Sequence, residues 1–453
     1  MTTYQDFLYR KSQLGGDRGF EPLWLPDFLF DFQKHLVEWA IRKGAAAIFA
    51  DCGLGKTPMQ LVWAENVVRK TGGKVLIVTP LAVSQQTCRE AEKFGVECRR
   101  SVDGRLPAKI VTTNYERLHY FEPGDFVGMV CDESSILKNF DGKRREEITE
   151  FMRRLPYRLL CTATAAPNDF WELGTSSEAL GYLGFRDMLT QFFKQETEKD
   201  FLGWGRTKYR FRGHAQEPFW RWVCSWARIA RKPSDLGFED GRFLLPAMEE
   251  REQIIENSTP RRGFLLAVPA RTMQDQQEEL RATLAERCER AAEAVISHNR
   301  PAVLWCHLNR EGDKLERDID KAVQISGSMS DERKEELLLA FQNGEIRRLV
   351  IKPKIGCFGL NWQHCSDVVV FPSHSWEQYY QAVRRCWRFG QTRQVTVDII
   401  ATEGQRGALS SLRRKSAQAD RMFSELVRHA NAALHLDGGW NFTESERLPQ
   451  WLS

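Results

Sequence analysis

Nine apolar runs of four to six residues recur along this chain, most of them separated by helical patterns. They are Ala45–Ala50, Lys74–Thr79, Lys109–Thr113, Val127–Cys131 and Arg158–Cys161 in the first half, then Ala302–Cys306, Arg348–Lys352, Val368–Phe371 and Val395–Ile400. Short continuous apolar strands alternating with helices are what a parallel sheet needs, because helices cover both of its faces. The pattern therefore predicts an α/β fold, and its two groups of runs predict two α/β units. A length of 453 residues agrees, since one hydrophobic core seldom organises a chain that long.

The stretch between the groups, roughly 170–246, differs in kind. Trp204, Trp220, Trp222 and Trp226 fall in it, with basic residues from Arg206 to Lys232. Such a segment suits base stacking and phosphate contact, or equally a packed aromatic core. The expected organisation is an N-terminal segment 1–19, a first unit 20–170, a helical Trp/Arg-rich insertion 171–246, a second unit 247–404 and a helical tail 405–453. The pattern also predicts one long helix over Arg271–His298.

No run of about 18 apolar residues is present, so no membrane span is expected. The polar start Met1–Gly19 lacks the apolar centre of a secretory leader. Eleven cysteines occur without a Cys-x-x-Cys pair, which argues against a zinc site and for reduced thiols in a cytoplasmic protein. A net charge of +4 neither demands nor excludes nucleic acid.

The chemistry begins at the first strand. Ala45–Ala50 runs into Asp51-Cys52-Gly53-Leu54-Gly55-Lys56-Thr57 and then a helix. In that context a Gly-rich turn is a phosphate loop: backbone N–H groups and the helix N-terminus face phosphate oxygens. Lys56 would reach the outer phosphates and the Thr57 hydroxyl would ligate Mg²⁺. Val127–Cys131 then delivers Asp132-Glu133 at a strand end, one carboxylate suited to Mg²⁺ and the other to polarising the attacking water. Behind Cys161 lie Thr162 and Thr164, small hydroxyl residues able to bond a neighbouring carboxylate. In the second unit, Gln381-Ala382-Val383-Arg384-Arg385-Cys386-Trp387-Arg388-Phe389-Gly390-Gln391 reads as helical. Arg385 and Arg388, three apart, would share a face and could clamp a γ-phosphate. The glycines of Lys354-Ile355-Gly356-Cys357-Phe358-Gly359-Leu360-Asn361 permit close backbone approach to the phosphates of ATP or of nucleic acid.

In this order and spacing the motifs resemble superfamily-two helicases and translocases, nearest to the Snf-type branch, over about residues 32–402. The resemblance implies two RecA-like lobes of the P-loop NTPase class with ATP and Mg²⁺ in the cleft between them. It implies a nucleotide site made by Gln33, Gly53, Leu54, Gly55, Lys56, Thr57, Gly359, Asn361 and Gln381, with Gln33 reading the adenine edge. It gives catalytic roles to Lys56, Glu133, Arg385 and Arg388, and Mg²⁺ to Thr57 and Asp132. Thr79, Thr113 and Tyr115 would touch the nucleic-acid backbone. The implied function is ATP-dependent movement on DNA, with an ATPase switch that binds DNA without unwinding, or an RNA helicase, as alternatives. Departures occur at Ser134-Ser135, Ile355, Cys357, Trp387 and Arg384, none of which removes a phosphate or Mg²⁺ ligand. Arg231-Lys232-Pro233-Ser234-Asp235-Leu236-Gly237-Phe238 is similar to helicases encoded by tailed bacteriophages, whose place of work is the host cytoplasm.

Overall fold

A computed structural model describes residues 18–80, 83–138, 142–166, 169–199, 205–256, 273–298, 300–356 and 361–436. Two parallel sheets organise them. The first has seven strands in the order β3-β4-β2-β5-β6-β1-β9. In chain order these are β1 (Ala45–Ala50), β2 (Val75–Thr79), β3 (Cys98–Arg100), β4 (Ile110–Asn114), β5 (Gly128–Asp132), β6 (Tyr157–Cys161) and β9 (Ala227–Ala230). β1 shows why apolar runs mark such strands: all six of its residues are buried. Ala45, Ala47 and Phe49 enter one hydrophobic cluster while Ala46, Ile48 and Ala50 enter the cluster on the other face. The two-residue period of a strand thus feeds both layers of helix.

The second sheet has six strands in the order β10-β15-β14-β11-β13-β12. They are β10 (Met248–Ile255), β11 (Ala302–Trp305), β12 (Ala322–Ile325), β13 (Arg348–Ile351), β14 (Asp367–Val370) and β15 (Val395–Thr402), all parallel where they pair. The protein is therefore an α/β chain of two parallel-sheet lobes.

The Trp-rich segment holds more than helices. Helices Phe185–Phe192 and Gln216–Trp226 are joined by an antiparallel hairpin of β7 (Phe193–Lys199) and β8 (Gly205–Phe211). The chain then returns to the first sheet, where Ala227–Ala230 pairs with β1 from Ala47 to Ala50. Trp220 and Trp226 are fully buried in the core, so these two rings serve packing. Trp204 lies outside the described residues.

The helix expected over 271–298 is two helices, Met273–Ala282 and Leu284–Ile296. At the break, the Thr283 hydroxyl donates to the Glu279 carbonyl at 2.8 Å, a local bond that competes with regular helix geometry.

The C-terminal helix, Arg406–Leu436, ties the lobes together. Leu409, Leu412 and Ala419 sit in the second lobe's core. Met422, Phe423 and Leu426, further along the same helix, sit in the first lobe's core. Arg231 adds an ion pair to Asp420 at 2.9 Å and stacks over Phe423 at 4.2 Å.

Candidate active site

The phosphate-loop candidate follows from β1. Gly53 and Gly55 adopt φ of +93° and +76°, a region that L side chains seldom enter. Space forbids a side chain there as well. A Cβ on Gly55 would lie 2.3 Å from Gln33 Nε2, and one on Gly53 would lie 2.8 Å from the Phe389 backbone nitrogen. The helix Lys56–Thr71 starts at once, with Gly55 as its N-cap. Lys56 Nζ donates to the Ala50 carbonyl at 2.9 Å and to that of Asp51 at 3.4 Å. Thr57 is half-buried in the helix's first turn, and Leu54 is buried. Gln33 Nε2 donates to the Leu54 carbonyl at 2.8 Å, while Gln33 Oε1 accepts from Phe30 N at 3.0 Å. Gln33 thus braces the turn.

Asp132 ends β5, and Glu133 leaves the strand at φ +51°. A left-handed conformation costs a non-glycine residue about 1–2 kcal/mol, and it turns the Glu133 carboxylate off the strand end. Gln60, one turn after Lys56 on the same helix face, donates to Asp132 Oδ1 at 2.6 Å. Burial, then the Glu133 charge, push Asp132 up to about 6, although Gln60 and Lys56 pull the other way. Thr162, at the end of β6, donates to Glu133 Oε2 at 3.2 Å.

The second lobe meets this cluster through the helix Trp376–Val383 and the residues after it. The regular helix ends at Val383. Arg385 and Arg388 lie in the turns beyond, not on one helix face as expected. The backbone there mixes i→i+3 bonds, Arg385 N to the Ala382 carbonyl and Cys386 N to that of Val383, with an i→i+4 bond from Trp387 N to the Val383 carbonyl, which interrupts the regular helical rotation of successive side chains. Gln381, fully buried, donates Nε2 to Glu133 Oε2 at 3.5 Å and accepts at Oε1 from Arg385 Nη2 at 2.8 Å. A chain of contacts thus runs from Thr162 through Glu133 and Gln381 to Arg385, crossing between the lobes. Burial, followed by the nearby charges of Arg385 and Arg384, pushes Arg388 down to about 10, so it remains a cation at neutral pH.

Sequence reasoning missed four residues in this region: Asp51, Gln60, Tyr380 and Arg384. Arg384 Nη2 donates to Asp51 Oδ2 at 2.6 Å and to the Cys52 carbonyl at 2.8 Å, and the Tyr380 hydroxyl donates to Asp51 Oδ1. Burial is the largest influence and disfavours the Arg384 charge, but Asp51, Tyr380 and Cys52 together outweigh it and hold the guanidinium's pKa above its ordinary value. Gln60 had a signal in its spacing from Lys56. Arg384 stood out only as a departure from the family pattern.

A cleft of about 730 Å³ opens between the lobes on the Glu133 side. Pro80, Arg89, Lys93 and Arg100 line one wall, Lys334, Lys354 and Asn361 the other, with Tyr115 and Glu133 also in its lining. It does not include Gly53–Thr57, over which the second lobe is already seated. An ion pair between Lys138 and Glu377 joins the lobes beside it.

The three side chains expected on nucleic acid are placed inside the protein. Thr79, Thr113 and Tyr115 are at most 2% exposed. Their hydroxyls donate to the carbonyls of Pro80 and Ser101, at 3.0 Å each, and of Asp132. β2 and β4 are inner strands whose side chains bury on both faces, so direct contact through these hydroxyls does not fit their placement. Asn361 is half-buried and faces the cleft, and Gly359 lies outside the described residues.

Residues 286–390 match the family model described as the helicase conserved C-terminal domain. Among particular relatives, the chain is 23% identical over 441 residues to the "Putative ATP-dependent helicase/translocase YwqA" of Bacillus subtilis. That match takes in 82% of this chain and 46% of the relative, so the chain spans about half of that protein's length. It is also 23% identical over 406 residues to "Putative protein p41" of Acyrthosiphon pisum secondary endosymbiont phage 1, covering 77% of this chain and 85% of the phage protein. Among solved structures it matches the Sulfolobus solfataricus SWI2/SNF2 ATPase core in complex with dsDNA at 17% identity and a TM-score of 0.42, over 92% of this chain and 98% of that one. No described helix is long and apolar enough to cross a membrane.

Proposed function

We propose that this chain hydrolyses ATP between its lobes and uses the resulting lobe motion to travel along DNA. The observation that carries this reading is the contact chain from Glu133 through Gln381 to Arg385, because it joins a water-orienting carboxylate on one lobe to a phosphate-clamping arginine on the other. The residues fit a nucleotide and its metal. Gly53 and Gly55 leave no room for a side chain, and the buried Asp132 and Glu133 carboxylates form an anionic pair that a divalent cation would relieve. Thr57 and Asp132 would hold Mg²⁺, which when bound neutralises charge on the phosphate oxygens.

The chain's own groups do the rest. Backbone N–H groups of the turn and Lys56 bind phosphate, with Lys56 exchanging the Ala50 and Asp51 carbonyls for phosphate oxygens. Gln33 braces the phosphate-binding turn through the Leu54 carbonyl and would read the adenine edge. Glu133 orients the attacking water, and Thr162 keeps its carboxylate in place. Arg385 and Arg388 stabilise charge as it shifts toward the leaving group.

The cleft supplies the grip on nucleic acid. Arg89, Lys93 and Arg100 on the first lobe face Lys334, Lys354 and Asn361 on the second, so a change in lobe spacing alters both holds on a backbone. Contacts of this kind give affinity with little sequence preference and strong salt dependence. The relative from Bacillus subtilis named as a helicase/translocase supports the motor reading. The phage relative supports a phage-encoded origin, with the host cytoplasm as the place of work.

The test measures ATP turnover with single-stranded DNA, duplex DNA and RNA, followed by strand displacement. Stimulation by DNA above RNA is expected. Turnover indifferent to every nucleic acid overturns the motor reading, and DNA-stimulated turnover without strand displacement leaves translocation without unwinding.

A further inference from the structure

Arg384 stands next to Arg385 but is bonded to a different part of the first lobe. Its guanidinium binds the Asp51 carboxylate at 2.6 Å and the Cys52 carbonyl at 2.8 Å. Asp51 is otherwise held by its own loop and by the second lobe. Its Oδ1 accepts from Cys52 N at 2.6 Å and from the Tyr380 hydroxyl. Aromatic faces flank the cation, with the Tyr380 and Trp387 ring centres 5.7 and 5.0 Å from the guanidinium carbon. The Arg384 and Asp51 side chains are 4% and 9% exposed.

Burial at both ends matters. An ion pair this far from water gives up about as much hydration as it gains in attraction, so it is a poor source of stability, whereas removing one partner strands a charge. What the pair has is a location. It joins the second lobe to the residues that open the Gly53–Thr57 turn, and it does so from the position next to Arg385 in the chain. With Arg384 seated on Asp51, Gln381 comes within 3.5 Å of Glu133 and Arg385 is bonded to Gln381.

We propose that Arg384, Asp51 and Tyr380 form an interlobe clasp that sets the register of the second lobe on the phosphate loop, and so assembles the Glu133–Gln381–Arg385 chain. Arg384 is a positioning residue in this account; it touches the loop backbone and Asp51, and it acts through Gln381 and Arg385. The inference rests on the ATPase reading for its kinetic consequence but not for its structural one. It also separates two arginine roles that sequence spacing merges: Arg384 docks the lobe, and its neighbour faces the chemistry.

The test uses the full chain with Asp51→Asn, Arg384→Gln and the double variant. Each is measured for kcat and KM of ATP hydrolysis and for interlobe distance. The distance is read by energy transfer between dyes on Tyr120→Cys in the first lobe and Ile296→Cys in the second, both exposed, whereas the cysteines among the described residues are buried. Each single variant is expected to lower kcat by about 10- to 100-fold, with KM within about threefold, because register and not nucleotide affinity is lost. Energy transfer should broaden or fall in both. The double should be no worse than the worse single, as for two residues acting as one unit. Multiplying losses, a raised KM with intact kcat, or unchanged energy transfer would each overturn the clasp. A wild-type chain without ATP turnover overturns the ATPase reading instead, and energy transfer still decides the clasp.

Discussion

The two lobes share an architecture but wire their site residues in opposite ways. In the first lobe the partners are local. Lys56 rests on the Ala50 carbonyl, Gln60 holds Asp132, and Thr162 holds Glu133. In the second lobe they lie across the interface: Tyr380 and Arg384 on Asp51, and Gln381 on Glu133. The first lobe's half of the site would survive separation, while the second lobe's contacts, apart from the Arg385–Gln381 bond, exist only where the lobes touch. The motor proposed above would need that asymmetry, because its chemistry would have to stop when the lobes part.

The hardest test of the comparison removes the prebuilt half. Lys56→Ala and Glu133→Gln should each reduce ATP hydrolysis by at least about 10⁴-fold, as expected when phosphate charge or the attacking water loses its partner. Phosphate release measures this. Melting temperature should barely move, since neither side chain carries core packing. Wild-type turnover in either variant would show that the chemistry lies elsewhere.

Arg385→Ala removes the half that depends on contact. A loss of about 10³-fold in kcat is expected, the lower end of what a phosphate-clamping arginine contributes. Nucleotide binding to the first lobe, followed with a fluorescent ATP analogue, should survive. If binding and kcat fell together, the two lobes would not be separable in the way their contacts indicate.

That division also governed how much could be read from the chain. The strands of both lobe centres were legible because they are buried on both faces and so consist of apolar runs. β10 was not, because it is an edge strand whose middle residues, Glu250 to Glu252, are exposed. β9 was hidden for another reason: Ala227–Ala230 is four residues long and follows a Trp-rich helix, and only tertiary pairing with β1 makes it a strand. The Gly53–Thr57 turn was legible because its chemistry is local. Arg384 and Asp51 are 333 positions apart, and nothing near either one announces the other. The buried Thr79, Thr113 and Tyr115 show the converse, where resemblance named a motif but packing decided which of its atoms are exposed.

The C-terminal helix is a second tether between lobes, and it is mostly apolar. Phe423, 5% exposed, is buried in the first lobe's core although its helix begins on the second. Phe423→Ala should cost about 3 kcal/mol in denaturant unfolding. It should leave ATP affinity intact, because no site residue is packed on it. Unfolding that separates into two transitions would show that this helix, more than the polar site, makes the lobes one cooperative unit. An unchanged midpoint would mean that the tether is slack.

The smallest effect makes the finest comparison, because Glu133 is held once from each lobe. Thr162 approaches at 3.2 Å from its own lobe and Gln381 at 3.5 Å from the other. Thr162→Ala removes one hydrogen bond to a carboxylate, a loss of about 1–2 kcal/mol, or roughly tenfold in kcat. Thr162→Ser keeps the hydroxyl and should restore most of the rate. The loss should be equal with and without DNA, because Thr162 reports only on its own lobe. Gln381→Ala should differ in kind, lowering the DNA-stimulated rate more than the basal one, since its bond to Glu133 forms only when the lobes are seated. Steady-state rates at saturating ATP, with and without DNA, separate the two. If Thr162→Ala abolished stimulation while Gln381→Ala left it intact, the local and interlobe roles would be reversed, and coupling would run through the strand ends of the first lobe alone.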